Sequence, residues 1–474
     1  MKTGRRNFIR QAIGAGLITT GSLSGLKAES LIEIYENTVQ NKTHRQHFNM
    51  CGYRAPKLNT VKIGCIGVGN RGYANLKQLT YLDGVEIKAI CDLMQFRIDE
   101  AQTMLKEQGF PLAKVYVGSS DLWKKMCEDP DIDLITIAVP RGPLHAEISI
   151  YAMECGKHVA VEVPAVSTIS EAWRLVETSE KTKRHCALLE NCCYDFFELL
   201  TLNMVRQGFF GDLIHADAAY IHHQNNYDKT RDGDMWRLKE SQHHNGNLYP
   251  THGLGPVCQA MDINRGDRLT KMVSMSSDDF MMGETVAELA RTNNFYEEFN
   301  THSYRGNMNT SILRTEKGKT IMLQYDITSP RVYSRIHMLS GTKAAALKYP
   351  LPSRISVGHE WLNDEEMSDI SEKYMPEICR RIGNMAKQVG GHGGMDFLMT
   401  WRLIDCLRNG LPMDMDVYDA ALWGSIIPLS EWSVANGSFP IEIPDFTCGT
   451  YKVNTPIDIS LSEGANTKIR TVHL

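Results

Sequence analysis

Two stretches of this chain carry residues whose types and spacing could do chemistry. The first runs from Val61 to Gly72, a short apolar strand followed by Gly67, Gly69 and Gly72 and then a segment of helical composition. Glycines at that spacing let the turn close, let the backbone approach a pyrophosphate and let the next helix pack on the strand. The phosphates then sit at the helix N-terminus. A second apolar run, Val85 to Cys91, ends in Asp92, about 20 residues past the last glycine. An acid there hydrogen-bonds a ribose 2′-hydroxyl and repels a 2′-phosphate, which points to NAD rather than NADP. A purely structural glycine turn is the alternative.

The second stretch is Tyr249-Pro250-Thr251-His252-Gly253-Leu254-Gly255-Pro256. His252 suits proton transfer because an imidazole titrates near neutral pH, and Tyr249 could face the same pocket. Without such roles, His252 would be a histidine satisfied by backbone groups on a glycine-rich turn, and Tyr249 a packing residue. The pairs His222-His223 and His243-His244 do not match i, i+4 ligand spacing and lack a carboxylate partner in a clear motif, so no metal is expected. The 12 cysteines include no CxxC, and the adjacent Cys192-Cys193 would make a poor bridge; buried thiols are expected.

The elements that must hold these residues alternate β and α from Val61 to Leu189. Strands are expected at 61–66, 85–91, 134–139, 158–162 and 186–189, with helices at about 72–82, 95–108, 120–128, 143–155 and 170–182. Near-continuous apolar strands imply a parallel sheet covered on both faces, with ligands beyond the carboxyl ends of the strands. Those ends are Pro140 to His145, Glu162-Val163-Pro164 and Glu190-Asn191. Beyond them, a helix is expected at 195–207, alternating strands at 214–222, 270–276, 309–315, 319–326 and 333–340, a polar loop at 222–247, and helices at 395–408 and 417–436. The fold class is therefore α/β. An N-terminal Rossmann dinucleotide-binding domain (58–190) precedes a C-terminal α/β domain with an open, largely antiparallel sheet (191–450) and a tail (451–474).

A chain of 474 residues is too long for one compact core, which agrees with two domains. A net charge of −5 gives no reason to expect nucleic acid or an anionic membrane surface as partner. There is no run of 18 apolar residues, so no membrane span is expected. The sequence is compatible with a homo-oligomer and specifies no state. At the N-terminus, Gly4-Arg5-Arg6-Asn7-Phe8-Ile9-Arg10 is a twin-arginine pattern, followed by the mildly apolar Ala12 to Leu23 and the small Ala28. Residues 1–28 thus read as a signal for the Tat export machinery, giving a periplasmic or secreted protein, with 29–57 as a linker. A basic amphipathic N-terminal helix is the alternative.

Over nearly all of residues 58–450 the chain resembles the Gfo/Idh/MocA oxidoreductases. Within that group Glu162-Val163-Pro164, Glu190-Asn191-Cys192-Cys193-Tyr194 and the string from Tyr249 to Pro256 resemble glycoside hydrolase family 109, NAD-dependent α-N-acetylgalactosaminidases. The resemblance adds Asn70, Arg71, Gly142, Pro143, Leu144, His145, Glu162, Val163 and Asn191 to the cofactor residues Gly67, Gly69, Gly72 and Asp92. It implies substrate contacts from Tyr220, Arg237, Tyr249, Pro250, Thr251, His252 and Tyr333, and a small-molecule or glycan substrate. The related dehydrogenases carry Glu-Lys-Pro where this chain has Glu162-Val163-Pro164, so a lysine that would help deprotonate a hydroxyl is missing.

An exported NAD protein meets no free nicotinamide pool, so its cofactor must travel bound and return to its starting state in each turnover. A redox-neutral reaction follows. The matching one is glycoside cleavage by oxidation at C3 of the sugar, loss of the acidified C2 proton, elimination at C1, addition of water and return of the hydride. It needs bases for the C3 hydroxyl and for C2–H and an acid for the leaving oxygen, rather than two flanking carboxylates. A sugar dehydrogenase with tightly held NAD(P), or a non-catalytic sugar-binding protein, shares the same fold and cofactor.

Overall fold

The computed structural model describes residues 44–224, 235–300 and 304–470; the expected signal and the first part of the expected linker lie outside them. The first half is a parallel sheet of β1 (Val61–Ile66), β2 (Val85–Asp92), β3 (Lys114–Val117), β4 (Leu134–Ile137), β5 (His158–Val161) and β6 (Cys186–Leu188), in the order β3-β2-β1-β4-β5-β6. Helices α1 (Asn70–Leu79), α2 (Gln95–Glu107), α3 (Leu122–Cys127), α4 (Pro143–Glu154) and α5 (Ile169–Thr182) make the crossovers. Because β4 and β5 are buried throughout, they tolerate no polar face, and the helices cover both sides. Strand order reverses beside β1, so a crevice opens beyond the carboxyl ends of β1 and β4.

The second half runs through α6 (Phe196–Arg206), β7 (Leu213–Ile221), α7 (Trp236–His243), α8 (Thr251–Ala260), β8 (Leu269–Ser276), α9 (Met282–Thr292), β9 (Asn309–Thr315) and β10 (Thr320–Asp326). It continues with β11 (Met338–Gly341), β12 (Ala344–Leu347), β13 (Arg354–Val357), β14 (Glu360–Trp361), α10 (Asp364–Tyr374), α11 (Glu377–Val389), α12 (Met395–Asn409), α13 (Val417–Ala435) and β15 (Ile441–Glu442). Its nine-stranded sheet is antiparallel except where β10 pairs with β7. Helix α8 lies so close on β7 that a Cβ at Gly253 would stand 2.6 Å from the Ala219 nitrogen. A Cβ at Gly255 would stand 3.2 Å from Glu190 Cγ and 2.9 Å from Trp423. The glycines of the Tyr249–Pro256 string are thus packing glycines in a helix, not a turn.

Several elements differ from expectation. The loop 222–247 contains α7, and the expected strand 333–340 begins only at Met338, because Ile336 and His337 have positive φ. The short strands β3, β12, β13, β14 and β15 carry too little pattern to announce themselves. The described part of the expected linker is packed: Met50 is buried and Gln46 donates to the Tyr418 hydroxyl at 2.8 Å. The tail returns to the first domain, where Asp83 N donates to Lys468 O at 2.9 Å and Arg470 N to Tyr81 O at 2.8 Å. Cysteines such as Cys65, Cys91, Cys186 and Cys406 are buried free thiols. Among the described residues no helix is long and apolar enough to cross a membrane.

His158 and His185 stack in the core beneath β5 and β6, with ring centroids 5.2 Å apart and the His185 N–H donating to His158 Nδ1 at 3.1 Å. Burial depresses both, His158 to about 3 and His185 to about 4, from an ordinary 6.5. The folded chain therefore binds these protons later than the unfolded chain, so the stability they contribute is present above about pH 6.5 and falls as pH drops toward 4. Thermal melts across that range should show a falling Tm, and His185→Phe should flatten the fall; a parallel slope in the variant would show that other groups carry the acid sensitivity.

Candidate active site at the domain junction

The glycine turn is built as its spacing requires. Gly67 has φ +79° and its N–H donates to Cys91 O at 2.8 Å; a Cβ at Gly72 would stand 1.8 Å from Gly67 O. Gly69 is different: nothing lies within 4 Å of where its Cβ would be. It precedes α1, whose first turn has no capping side chain and no acid, so its N–H groups and dipole face open space. Asp92, at the end of β2, accepts from Val68 N at 2.9 Å and Met94 N at 3.0 Å, which fixes its carboxylate beside that space. A dinucleotide with its pyrophosphate on α1 and a ribose on Asp92 fits this cradle.

From the turn, Arg71 reaches across the junction of the two domains. Its Nε donates to Glu162 Oε1 at 2.7 Å and a terminal nitrogen to Asp396 Oδ2 at 2.8 Å. Asn75 donates to the same Glu162 oxygen at 2.7 Å, and Asn191 donates to Asp396 Oδ1 at 2.5 Å. His392 Nδ1 lies 2.8 Å from Asp396 Oδ2. Burial alone would raise the Asp396 carboxyl; the His392 hydrogen bond, the Arg71 charge and Asn191 hold it well below the carboxylate range. Glu162 and Asn191 are thereby fixed at the ends of β5 and β6, where a nicotinamide and its ribose would lie.

One residue before Asn191, Glu190 points the other way. It is fully buried and accepts from His252 Nδ1 at 2.7 Å and from Cys192 N at 3.0 Å. Burial would raise its carboxyl, yet the His252 imidazole holds it below the ordinary range, so it is the charged partner of a carboxylate–imidazole pair. With Nδ1–H committed to Glu190, His252 keeps its Nε2 lone pair for a proton from a ligand. Its position in the first turn of α8 follows from the close seating of that helix.

Aromatic rings wall the pocket around His252. Its ring centroid lies 4.8 Å from that of Tyr249 and 5.3 Å from that of Tyr220. Tyr249 is pushed well above the usual phenol range by burial and by Tyr220, Glu162 and Glu190, so it remains a proton-bearing donor. Tyr220 is raised mainly by burial, and its hydroxyl lies 2.9 Å from His222 Nδ1. Tyr333 closes the wall, 6.3 Å from Tyr220 ring to ring, and accepts from Arg335 at 2.9 Å. Arg237 joins through Gln224, to which it donates at 3.1 Å, and Gln224 in turn donates to the Tyr220 hydroxyl at 2.9 Å. Arg141 stacks over Tyr249 at 5.4 Å while bound to Glu240.

The structure thus brings together Arg71, Glu162, Asn191, Tyr220, Tyr249, Thr251, His252 and Tyr333. It places Gly142 and Pro143 at the start of α4, with Leu144 partly exposed. Val163 is buried. His145 is turned inward: its two ring nitrogens lie 2.8 Å from Pro164 O and 2.9 Å from Val139 O, so it ties two strand-end loops together rather than presenting a free ring. Sequence reasoning did not single out Asn75, Asp396, His392 or the pairing of Glu190 with His252. Only Glu190 carried a signal, its place at a strand end. Donor atoms of Glu190, Cys192 and His252 lie within 4.8 Å of one another, but the first and last use theirs on each other.

Comparison with known proteins agrees with both halves. Residues 61–189 match the model of the oxidoreductase family with an NAD-binding Rossmann fold, and residues 194–453 match the model of the glycosyl hydrolase 109 C-terminal domain. A glycosyl hydrolase family 109 protein of Porphyromonas gingivalis is 43% identical over 461 residues, 94% of this chain and 96% of that one. An α-N-acetylgalactosaminidase of Bacteroides fragilis is 46% identical over 414 residues, 85% of this chain and 96% of that one. Among solved structures, levoglucosan dehydrogenase in complex with NADH and levoglucosan superposes with a TM-score of 0.60 at 16% identity, covering 81% of this chain and 99% of that one. An inositol dehydrogenase homologue from Azotobacter vinelandii, complexed with NAD⁺, gives 0.60 at 15% identity, covering 82% and 99%. These two show the fold.

The open space at Gly69 yields a clean test of the cofactor cradle. Gly69→Ala meets no neighbour and has an ordinary φ of −66°, so its Tm without ligand should match the unaltered protein. Its NAD content after purification should nevertheless fall sharply, because the methyl occupies the path of the pyrophosphate. Asp92→Ala should also lose NAD, and Asp92→Arg should shift the bound nucleotide toward NADP. Unchanged NAD occupancy in all three would place the cofactor elsewhere.

Proposed function

The chain belongs to glycosyl hydrolase family 109, and from that membership and the site's geometry we propose that it removes terminal α-linked N-acetylgalactosamine by a redox-neutral oxidation–elimination–addition–reduction route. It is a glycoside hydrolase with an NAD-binding domain. The observation that carries the mechanism is the state of the carboxylates in the site. Glu162 is bound by Arg71 and Asn75, Glu190 by His252, and Asp396 by Arg71, Asn191 and His392. No pair among them is free to flank a glycosidic bond, as direct hydrolysis by two carboxylates requires. What the site offers instead is an oriented imidazole and a phenol beside a nicotinamide cradle.

Bound in that cradle, NAD⁺ supplies the acceptor for a hydride from the sugar ring and its donor later in the same turnover. The protein does the rest. His252 Nε2 takes the C3 hydroxyl proton as that carbon is oxidised, and the buried Glu190 charge stabilises the imidazolium that results. The C2 proton passes to solvent water in the cleft, while Tyr249, kept protonated by its surroundings, donates a hydrogen bond to the sugar oxygen on which negative charge grows. Tyr220, Tyr333 and the Gln224–Arg237 pair bound the ring and supply polar contacts for its hydroxyl and acetamido groups. The N-acetylgalactosamine specificity follows the named activity of the Bacteroides fragilis relative. We further propose Tat export, on the twin-arginine pattern at Arg5 and Arg6; a mature chain starting near Ala28 and recovered outside the cytoplasm tests it.

A substrate deuterated at C2 tests the order of bond changes. The product should carry solvent hydrogen at C2, or form more slowly than from the protiated substrate, with no net change in nicotinamide absorbance. Glu190→Gln should lower kcat on the order of 10²-fold or more while NAD content is kept, since the imidazolium loses its counter-charge. Full retention of deuterium at an unchanged rate would refute the route. Net formation of NADH in step with substrate would instead identify a sugar dehydrogenase, the activity named for the levoglucosan neighbour.

A further inference from the structure

A buried arginine at the end of β4 has no task in the route above. Arg141 lies in the loop that joins β4 to α4, one residue before Gly142, and its side chain is only 6% exposed. Burying a guanidinium is costly unless its donors are met. All three of its nitrogens find their partners in the second domain. Nε donates to Glu240 on α7 at 2.6 Å, one terminal nitrogen donates to the same carboxylate, and the other donates to Leu248 O at 2.9 Å. Burial alone would weaken the hold of Arg141 on its proton, and the Glu240 charge more than offsets this.

Aromatic rings flank the guanidinium as well. Its central carbon lies 5.4 Å from the Tyr249 ring centroid and 5.3 Å from that of Trp236, the first residue of α7. Trp236 in turn carries Arg237 over its ring at 4.4 Å. Arg237 donates to Gln224, Gln224 donates to the Tyr220 hydroxyl, and the Tyr220 ring lies 4.8 Å from that of Tyr249. These contacts close on themselves, running Tyr249, Arg141, Trp236, Arg237, Gln224, Tyr220 and back to Tyr249. Every other member belongs to the second domain. Arg141 comes from the nucleotide-binding half, at the carboxyl end of a strand that borders the cofactor crevice.

Hydride transfer requires a sugar carbon and a nicotinamide, held by different domains, to meet in one geometry. The Asp396 network ties the cofactor turn to α12, while Arg141 ties the end of β4 to the residues that wall the sugar. Resting on the oxidation–elimination route above, we propose that Arg141 is a positioning residue for the hydride step. It locks Tyr249 and the Trp236–Arg237 pair to the strand end beside the crevice, and so sets C3 of the sugar within reach of the cofactor. It touches neither reacting atom. The position calls for a planar group, which meets Glu240 and the Leu248 carbonyl through its edge while rings stack against it. A lysine ammonium cannot do both.

Arg141→Lys keeps a positive charge for Glu240 and gives up the fork and the stack. The variant should retain the Tm and NAD content of the unaltered enzyme and, by calorimetry, its affinity for N-acetylgalactosamine. Its kcat should fall on the order of 10²-fold, the cost of a misplacement of about 1 Å, with KM little changed. Hydride transfer then becomes the slow step, so a substrate deuterated at C3 should show a larger isotope effect in the variant than in the unaltered enzyme. Trp236→Leu removes the stacking partner on α7 and leaves the Arg141–Glu240 pair in place. It should move the isotope effect the same way, and it carries the test if Arg141→Lys loses stability. An unchanged kcat, or a lower kcat with the isotope effect of the unaltered enzyme, would overturn the assignment. A loss confined to sugar affinity would overturn it too, leaving Arg141 as part of the binding wall alone. The elimination route fails on a different readout, the absence of solvent hydrogen at C2 with the unaltered enzyme.

Discussion

The cleft depends on one buried carboxylate. Asp396 stands at the start of α12, far along the chain from the glycine turn, and accepts from Arg71, Asn191 and His392. Those three residues belong to the turn after β1, the end of β6 and the glycine-rich loop before α12. A single side chain therefore sets the relative positions of the pyrophosphate cradle, the end of the sheet and that loop. Removing Arg71 would leave the buried Asp396 carboxylate short of its compensating charge. The arrangement suits the proposed route, in which a cofactor and a sugar carbon would have to stay in register through several proton and hydride movements.

Close packing does the same for the sugar side. Helix α8 approaches β7 as near as backbone allows, with Gly253 against Ala219 and Gly255 against Glu190 and Trp423. That contact delivers His252 to Glu190. The adjacent residues Glu190 and Asn191 face opposite networks, so the end of β6 is where the His252 pair and the Asp396 network meet. The tyrosine wall is anchored from behind by buried charge: Arg335, bound to Asp195 and Glu198, fixes the Tyr333 hydroxyl.

Much of this was legible in the sequence, and what was not has a physical cause. The Rossmann half could be read because buried parallel strands are near-continuous apolar runs and because glycine, alone among residues, fits the Gly67 and Gly72 positions. The edge strand β3 was missed because its Lys114 and Val115 are exposed, which leaves no apolar run. Resemblance supplied the members of the tyrosine wall; periodicity alone could not, since a tyrosine lining a pocket and one filling a core look alike in sequence. The string around His252 was visible as a unit, but nothing in it announced that its glycines are the means by which a helix sits down on a sheet. Asp396 and His392 were invisible as site residues because only the fold brings α12 to the cradle.

The return of the tail has a consequence for how such a protein can arise and change. After the second domain is complete, the chain comes back: Ile469 bridges to Leu82, the Thr467 carbonyl accepts from Trp401 Nε1 at 2.9 Å, and the Thr467 hydroxyl donates to Asp405 at 2.9 Å. The nucleotide-binding half is therefore not a module that recombination can lift out whole. Excised at the domain boundary, it would lose the strap over Tyr81 and Leu82, and the tail left on the other half would lose its backbone partners at Tyr81 and Asp83. A replacement for this half would have to present its own edge to the same returning strap.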